Sequence, residues 1–422
     1  MRLWAGAWVM PKPRSGDLIA GISVALLALP QGLAYAELAG MPAKYGLYAA
    51  AIPSLLAAIF ASSPYLQTGP VALTALLAYG ALESLEEPFT EGFIELAALL
   101  ALIVGSIRFL LGILKLGRIA LLLTDEVILG FTTGAAILII FSQLPKSLGI
   151  ETSDNGILRS GWEAVTSPQM WQFGAVAFSV ATILIILCGR VFHRLFPGVL
   201  VAVVCGILVS HLINYSGPVV GELNGTFISL KFSFKWSAFT DLLLPGTIIA
   251  VVGFAEPAAI ARTFSKQDGS SWNPSKEFVS QGIANMASAI SNSFPVGGSF
   301  GRSSLNKLAG AKTPWSGAIT GAFVLAVLPL AFLLSELPSA ILGATVIWAV
   351  MKLIKPIDFF ELVKSDPSQA FIALGTLLAT LLTAPRIDRG IIIGLLLSFI
   401  AYLFGKYPIY GHKNKNEPPV SR

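Results

Sequence analysis

The chain is built from apolar runs of roughly 17 to 25 residues, each long enough to cross about 30 Å of hydrocarbon as a helix rising about 1.5 Å per residue. They fall near 17–39, 44–61, 90–113, 120–143, 172–189 and 195–214, and again near 239–264, 276–292, 313–334, 338–353, 367–384 and 387–404. Two shorter runs interrupt the series, at 69–82 and near 301–310. Lipid supplies no partner for a free backbone N–H or C=O, so such runs fold as helices. The expectation is an all-α polytopic membrane protein of about fourteen segments. A first repeat over residues 17–214 and a second over 239–404 make a seven-plus-seven arrangement, between tails at 1–16 and 405–422.

Composition excludes the main alternatives. With 55% hydrophobic and 12% charged residues and a mean hydropathy of +0.76, the 422 residues cannot form an ordinary water-soluble domain. Cys188 and Cys205 sit in separate apolar runs, and His193, His211 and His412 are scattered, so neither a disulfide framework nor a metal site is indicated. Lys and Arg concentrate in the loops that face one side when both termini are cytoplasmic, which is the orientation expected in a cell membrane. That topology accounts for the net charge of +5 without a nucleic-acid partner. The alternating stretch at 226–236 reads as a small hairpin or strand in an outward loop.

The two short runs carry the functional argument. Neither is long enough to span, and each follows a Gly/Pro-interrupted approach, so both read as half-helices. Thr68-Gly69-Pro70-Val71-Ala72 leads the first, with Thr68 as the expected N-cap and Pro70 in the first turn. Ser299-Phe300-Gly301-Arg302-Ser303 leads the second, with Ser299 or Gly301 as the cap. Each break falls in the third segment of its half, the pattern of an inverted-repeat transporter with its site at the bilayer midplane. A helix that starts mid-membrane exposes unpaired N–H groups and the positive end of its dipole, and two such ends beside Arg302 make an anion cradle. Gln31 and Tyr35, four residues apart on one helical face, add hydrogen-bond donors. The competing reading is plainer: glycines for close helix packing, and an arginine that snorkels or balances an acid elsewhere.

Glu256 is the second intramembrane ionisable residue that calls for a role. A carboxylate there is a candidate carrier of a coupling proton or ligand to a sodium ion. The alternative is a structural carboxylate, paired with Arg302 or held by backbone donors.

Leu29-Pro-Gln-Gly-Leu-Ala-Tyr-Ala-Glu-Leu-Ala-Gly-Met-Pro-Ala-Lys-Tyr-Gly-Leu-Tyr48 closely resembles the signature of the sulfate permease (SulP) family, and the Thr68–Pro70 and Ser299–Ser303 breaks resemble that family's third and tenth helices. The resemblance spans nearly the whole apolar region. It implies the fold shared with uracil permeases: a core of segments 1–4 and 8–11, a gate of segments 5–7 and 12–14, and an anion bound between the third and tenth helices. Gln31, Tyr35, Val71 and Arg302 match its substrate-facing positions, and Glu256 matches a position associated with coupling ions. A homodimer is also implied. Most members carry a C-terminal sulfate transporter and anti-sigma antagonist (STAS) domain. No such domain is expected within these residues, whether the protein is a short member or the sequence is part of a longer chain.

The function expected is secondary active transport of a small anion such as sulfate, bicarbonate, chloride or a dicarboxylate. It would be coupled to a proton or sodium ion and work by an elevator-like movement. An anion exchanger or uncoupled channel on the same scaffold is the alternative. A nucleobase permease would favour carboxylates over Arg302 in the binding break. An enzyme lacks any HExxH, GxSxG or histidine cluster, and no cofactor is expected.

Overall fold

The computed structural model describes residues 11–117, 124–151, 156–193, 195–223 and 227–403. Each expected apolar run is helical within them. The first half contains α1 (Ser15–Leu38), α2 (Lys44–Ala50), α3 (Ile52–Phe60), α4 (Ala72–Leu82), α5 (Glu91–Ile113), α6 (Asp125–Leu148), α7 (Ile157–Thr166), α8 (Phe173–Phe192) and α9 (Gly198–Leu212). The second contains α10 (Phe239–Val252), α11 (Ala255–Asp268), α12 (Pro274–Ile290), α13 (Phe300–Leu308), α14 (Trp315–Val327), α15 (Ser339–Val350), α16 (Pro356–Ser365), α17 (Pro367–Leu382) and α18 (Ile387–Leu403). Among the described residues, six helical stretches are both long and apolar enough to cross a membrane, and shorter apolar helices accompany them.

Two expected single runs are split, for the same reason. Pro53 stands at the start of α3 and has no N–H to continue the α2 ladder, so the chain bends at Ala51. Pro257 does the same in the first turn of α11, separating it from α10 at Gly253-Phe254. A side chain donates to two carbonyls at the end of α10, of which Ile249 O also accepts from Gly253 N. Arg108 of α5, fully buried, donates from Nε to Ala250 O at 3.0 Å and from Nη2 to Ile249 O at 3.0 Å. Its Nη1 reaches Val296 O at 2.9 Å.

The helices pack in two groups. α5 lies along α12, α3 packs on α12 and α14, and α1 packs on α14, α2 and α13. Asp17 closes this first group by accepting from the backbone N–H groups of Lys312 and Thr313 at 2.7 and 3.0 Å. In the second group α6 is central, packed against α15, α17 and α7, with α8 joining α15 to α9. The groups meet chiefly where α1 touches α15 and α9, and where α4 touches α6 and α18.

Two features differ from expectation. The stretch 227–235 forms no strand and residues 224–226 lie outside the described residues, so the hairpin at 226–236 is not formed by what is described. Its alternation serves separate anchors instead: Lys231 N donates to Ile290 O, and Phe227 O accepts from Tyr48. The only sheet among the described residues lies elsewhere, a two-residue antiparallel ladder of β1 (Thr68–Gly69) and β2 (Gly297–Gly298). α7 and α16, both amphipathic, were not expected, because their charged faces keep them out of any continuous apolar run.

Candidate anion site

The ladder brings the two breaks together, with Thr68 opposite Gly298 and Gly69 opposite Gly297. Contacts on either side extend it. Ser299 N donates to Gln67 O at 3.0 Å, and Gln67 N donates to Ser303 Oγ at 2.9 Å. The half-helices α4 and α13 leave this seam from opposite strands. Both are short because the chain feeding each is spent in the ladder, not in a helical turn.

The first cap is corrected by this geometry. Thr68 is committed to the ladder, with its carbonyl accepting from Ser54 Oγ at 2.7 Å, so α4 starts only at Ala72 and Val71 is its N-cap. Valine supplies no side-chain acceptor, so the N–H groups of the first turn of α4 receive no side-chain cap. In the second break Ser299 is the N-cap, its Oγ accepting from Arg302 N at 3.4 Å, and Gly301 lies inside α13.

Arg302 crosses the seam. Its side chain is 2% exposed, and Nη2 donates to Pro70 O at 2.8 Å, tying the second break to the first. Its Nε is buried without a hydrogen-bond partner. A buried guanidinium N–H left unpaired is costly, and an acceptor arriving there would relieve it. Gly69 makes the approach possible: its φ is +152°, and a Cβ on it would stand 3.3 Å from Arg302 Nη1 and 3.1 Å from Ser54 Oγ.

Glu256, in the first turn of α11, is not ion-paired with Arg302. Its Oε1 accepts from Phe300 N, the first amide of α13, at 3.3 Å. A carboxylate of the protein thus occupies one of the anion-favouring positions at that helix end. Tyr35 is 6% exposed and, like Glu256, lies within electrostatic reach of the guanidinium. Gln31, one turn earlier on α1, has a buried Oε1 without a partner. Val71, Ala72 and Ser303 are buried, whereas Phe300 and Gly301 stay exposed at the start of α13. Thr68–Ala72 and Ser299–Ser303 therefore meet along one seam, with Glu256 and Tyr35 beside it. Arg108, Gln281 and Asn285, which hold the seam from behind, were missed; the available signal was strongly polar side chains inside otherwise apolar helices. Among the described residues, no group of three or more His, Cys, Asp or Glu could hold a metal ion.

Two discontinuous helices meeting head to head inside a bundle of apolar helices define a multi-pass membrane transporter fold. The same fold is found in the murine solute carrier 26 family member A9 anion transporter, at a TM-score of 0.83 and 21% identity over 96% of this chain and 70% of that one. It is found again in the transmembrane domain of the cyanobacterial bicarbonate transporter BicA, at 0.76 and 22% over 90% and 96%. In sequence, residues 15–376 match the sulfate permease family, and the chain belongs to that family of anion transporters. The probable sulfate transporter 4.2 of Arabidopsis thaliana is 31% identical over 404 residues, 90% of this chain and 57% of its own length. The chain thus spans little more than half of that relative.

Proposed function

We propose that the protein is a secondary active transporter of a small anion, sulfate or bicarbonate foremost, which binds at the seam between α4 and α13. The observation that carries this reading is the buried, unpartnered Nε of Arg302 beside two half-helix N-termini. Gln31, Tyr35, Thr68, Gly69, Pro70, Val71, Ala72, Ser299, Phe300, Gly301, Arg302 and Ser303 surround the anion. The names of the plant and cyanobacterial relatives supply the two leading substrates.

Glu256 couples transport to a proton or sodium ion. While charged it competes for the Phe300 amide; once neutralised by either ion, it cedes that amide to the substrate. The helix group of α1–α5 and α10–α14 carries the site as a core, and the group of α6, α8, α9, α15, α17 and α18 is the gate it moves against, elevator-fashion. The packing of helices within each group supports this division. The working protein is a homodimer in the cell membrane with both termini cytoplasmic.

The test is reconstitution into liposomes with labelled sulfate, bicarbonate, chloride and a dicarboxylate, under separately imposed proton and sodium gradients. Uphill uptake of one anion driven by one gradient is expected. Flux that only ever runs down the anion's own gradient would replace this reading with a channel.

A further inference from the structure

We infer that Gln281 and Asn285, one turn apart on α12, are positioning residues that hold the two breaks in the geometry anion binding requires. The inference rests on the anion-site reading above and deepens it. Gln281 Nε2 donates to Thr68 Oγ1 of β1 at 2.6 Å. Asn285 engages Val296, the residue before β2, in both directions: Nδ2 donates to Val296 O at 3.0 Å, and Val296 N donates to Oδ1 at 2.9 Å. Ser288 continues the stripe, donating to Phe294 O at 2.6 Å. All three side chains are fully buried, and their spacing puts them on one face of the helix.

One helix therefore grips both strands of the ladder. A ladder of two residue pairs is too short to hold itself. Arg302 is aimed by its bond to Pro70 O, whose position follows directly from Thr68 and Gly69. If the bracket loosens, the guanidinium and the two helix ends lose their mutual geometry while every substrate-facing group remains present. Polar side chains that merely fastened α12 to its neighbours would have no reason to reach both breaks, at the Thr68 hydroxyl and at the Val296 backbone.

The experiment measures saturable uptake in proteoliposomes, with labelled sulfate or labelled bicarbonate, whichever the wild-type protein carries. Gln281→Met keeps the length and loses the hydrogen bond; Thr68→Val removes the same bond from the other side. Each single variant is expected to raise apparent KM about 5- to 30-fold, the range for one lost buried hydrogen bond, with maximal rate changed less than about threefold. The double variant should be no worse than the larger single. If Gln281→Met is not recovered as a monodisperse species, Gln281→Asn, which withdraws the amide by one methylene, takes its place with the same expectation. A wild-type KM in the folded Gln281 variant, or a double variant showing the product of both single effects, overturns the proposal. Arg302→Ala is the reference. Lost uptake there with a wild-type KM at Gln281 sinks the bracket alone, whereas wild-type uptake by Arg302→Ala sinks the site reading itself.

Discussion

Lys146 Nζ, in the last turn of α6, lies 2.5 Å from Glu37 Oε2, in the last turn of α1. The pair spans the boundary between the two helix groups. Its side chains are 27% and 13% exposed, so it is partly screened by solvent. A double-mutant cycle on Glu37→Gln and Lys146→Met, read by thermal unfolding in detergent, should give a coupling of about 0.5–1 kcal/mol. Raising the salt to 1 M should shrink it. A coupling unaffected by salt would mean that the contact is steric.

Arg302→Ala should abolish saturable uptake while leaving a monodisperse protein, because the substitution removes a buried donor that lacks a full set of partners in the folded state. Arg302→Lys should recover only part of the activity, since a single ammonium cannot serve Pro70 O and an anion with the planar fork of a guanidinium. Equal KM values for the arginine and lysine forms would rule out a directional contact.

Two glycines of the seam should respond oppositely. At Gly69 a side chain meets both a positive φ and the guanidinium, so Gly69→Ala should destabilise the protein by about 1–3 kcal/mol and cut uptake. At Gly301 a Cβ would meet nothing within 4 Å, and the residue is helical. Gly301→Ala should hold or raise the melting temperature, by up to about 1 kcal/mol in stability. Melting curves of the two variants side by side provide the check.

Arg108→Met should reduce the yield of folded protein. It leaves Ala250 O without a partner, at roughly 1–3 kcal/mol, and takes one of two donors from Ile249 O and from Val296 O, against a total stability of about 5–15 kcal/mol. Size-exclusion profiles of the expressed variant read this directly, and a symmetric wild-type peak would show that other donors replace the arginine.

Glu256→Gln retains an oxygen acceptor for the Phe300 amide but loses the titratable charge. Uptake driven by the anion's own gradient should survive, and stimulation by an imposed proton or sodium gradient should disappear. Persistent stimulation would move the coupling role to another residue.

Hydropathy made the helices legible because lipid leaves an apolar run no other fold, and α1 at Ser15–Leu38 lies almost where the run 17–39 places it. Proline and glycine breaks located the half-helices; the start of the first was set a few residues early, whereas the second starts directly after its expected cap Ser299. Thr68 has the composition of an N-cap, but its backbone went to a strand partner about 230 positions away, and no local pattern announces such a partner. The split at Gly253 was present in Pro257 and was hidden by the apolar letters on both sides. Arg302 was legible as an expensive charge beside glycines. Arg108 was equally expensive but lay in an unbroken helix, where its three carbonyl partners on distant segments leave no trace in spacing.

The seam of Thr68–Gly69 with Gly297–Gly298 also sets an order of events at the ribosome. Arg302 reaches a carbonyl 232 positions earlier in the chain. At about 5–20 residues per second, the first break waits roughly ten to fifty seconds before its partner emerges. Throughout that wait its ladder groups have no strand opposite them, although Thr68 O already has the Ser54 hydroxyl as a partner. The first break is therefore synthesised well before the strand that completes it, and the seam can close only after Gly298 has left the ribosome.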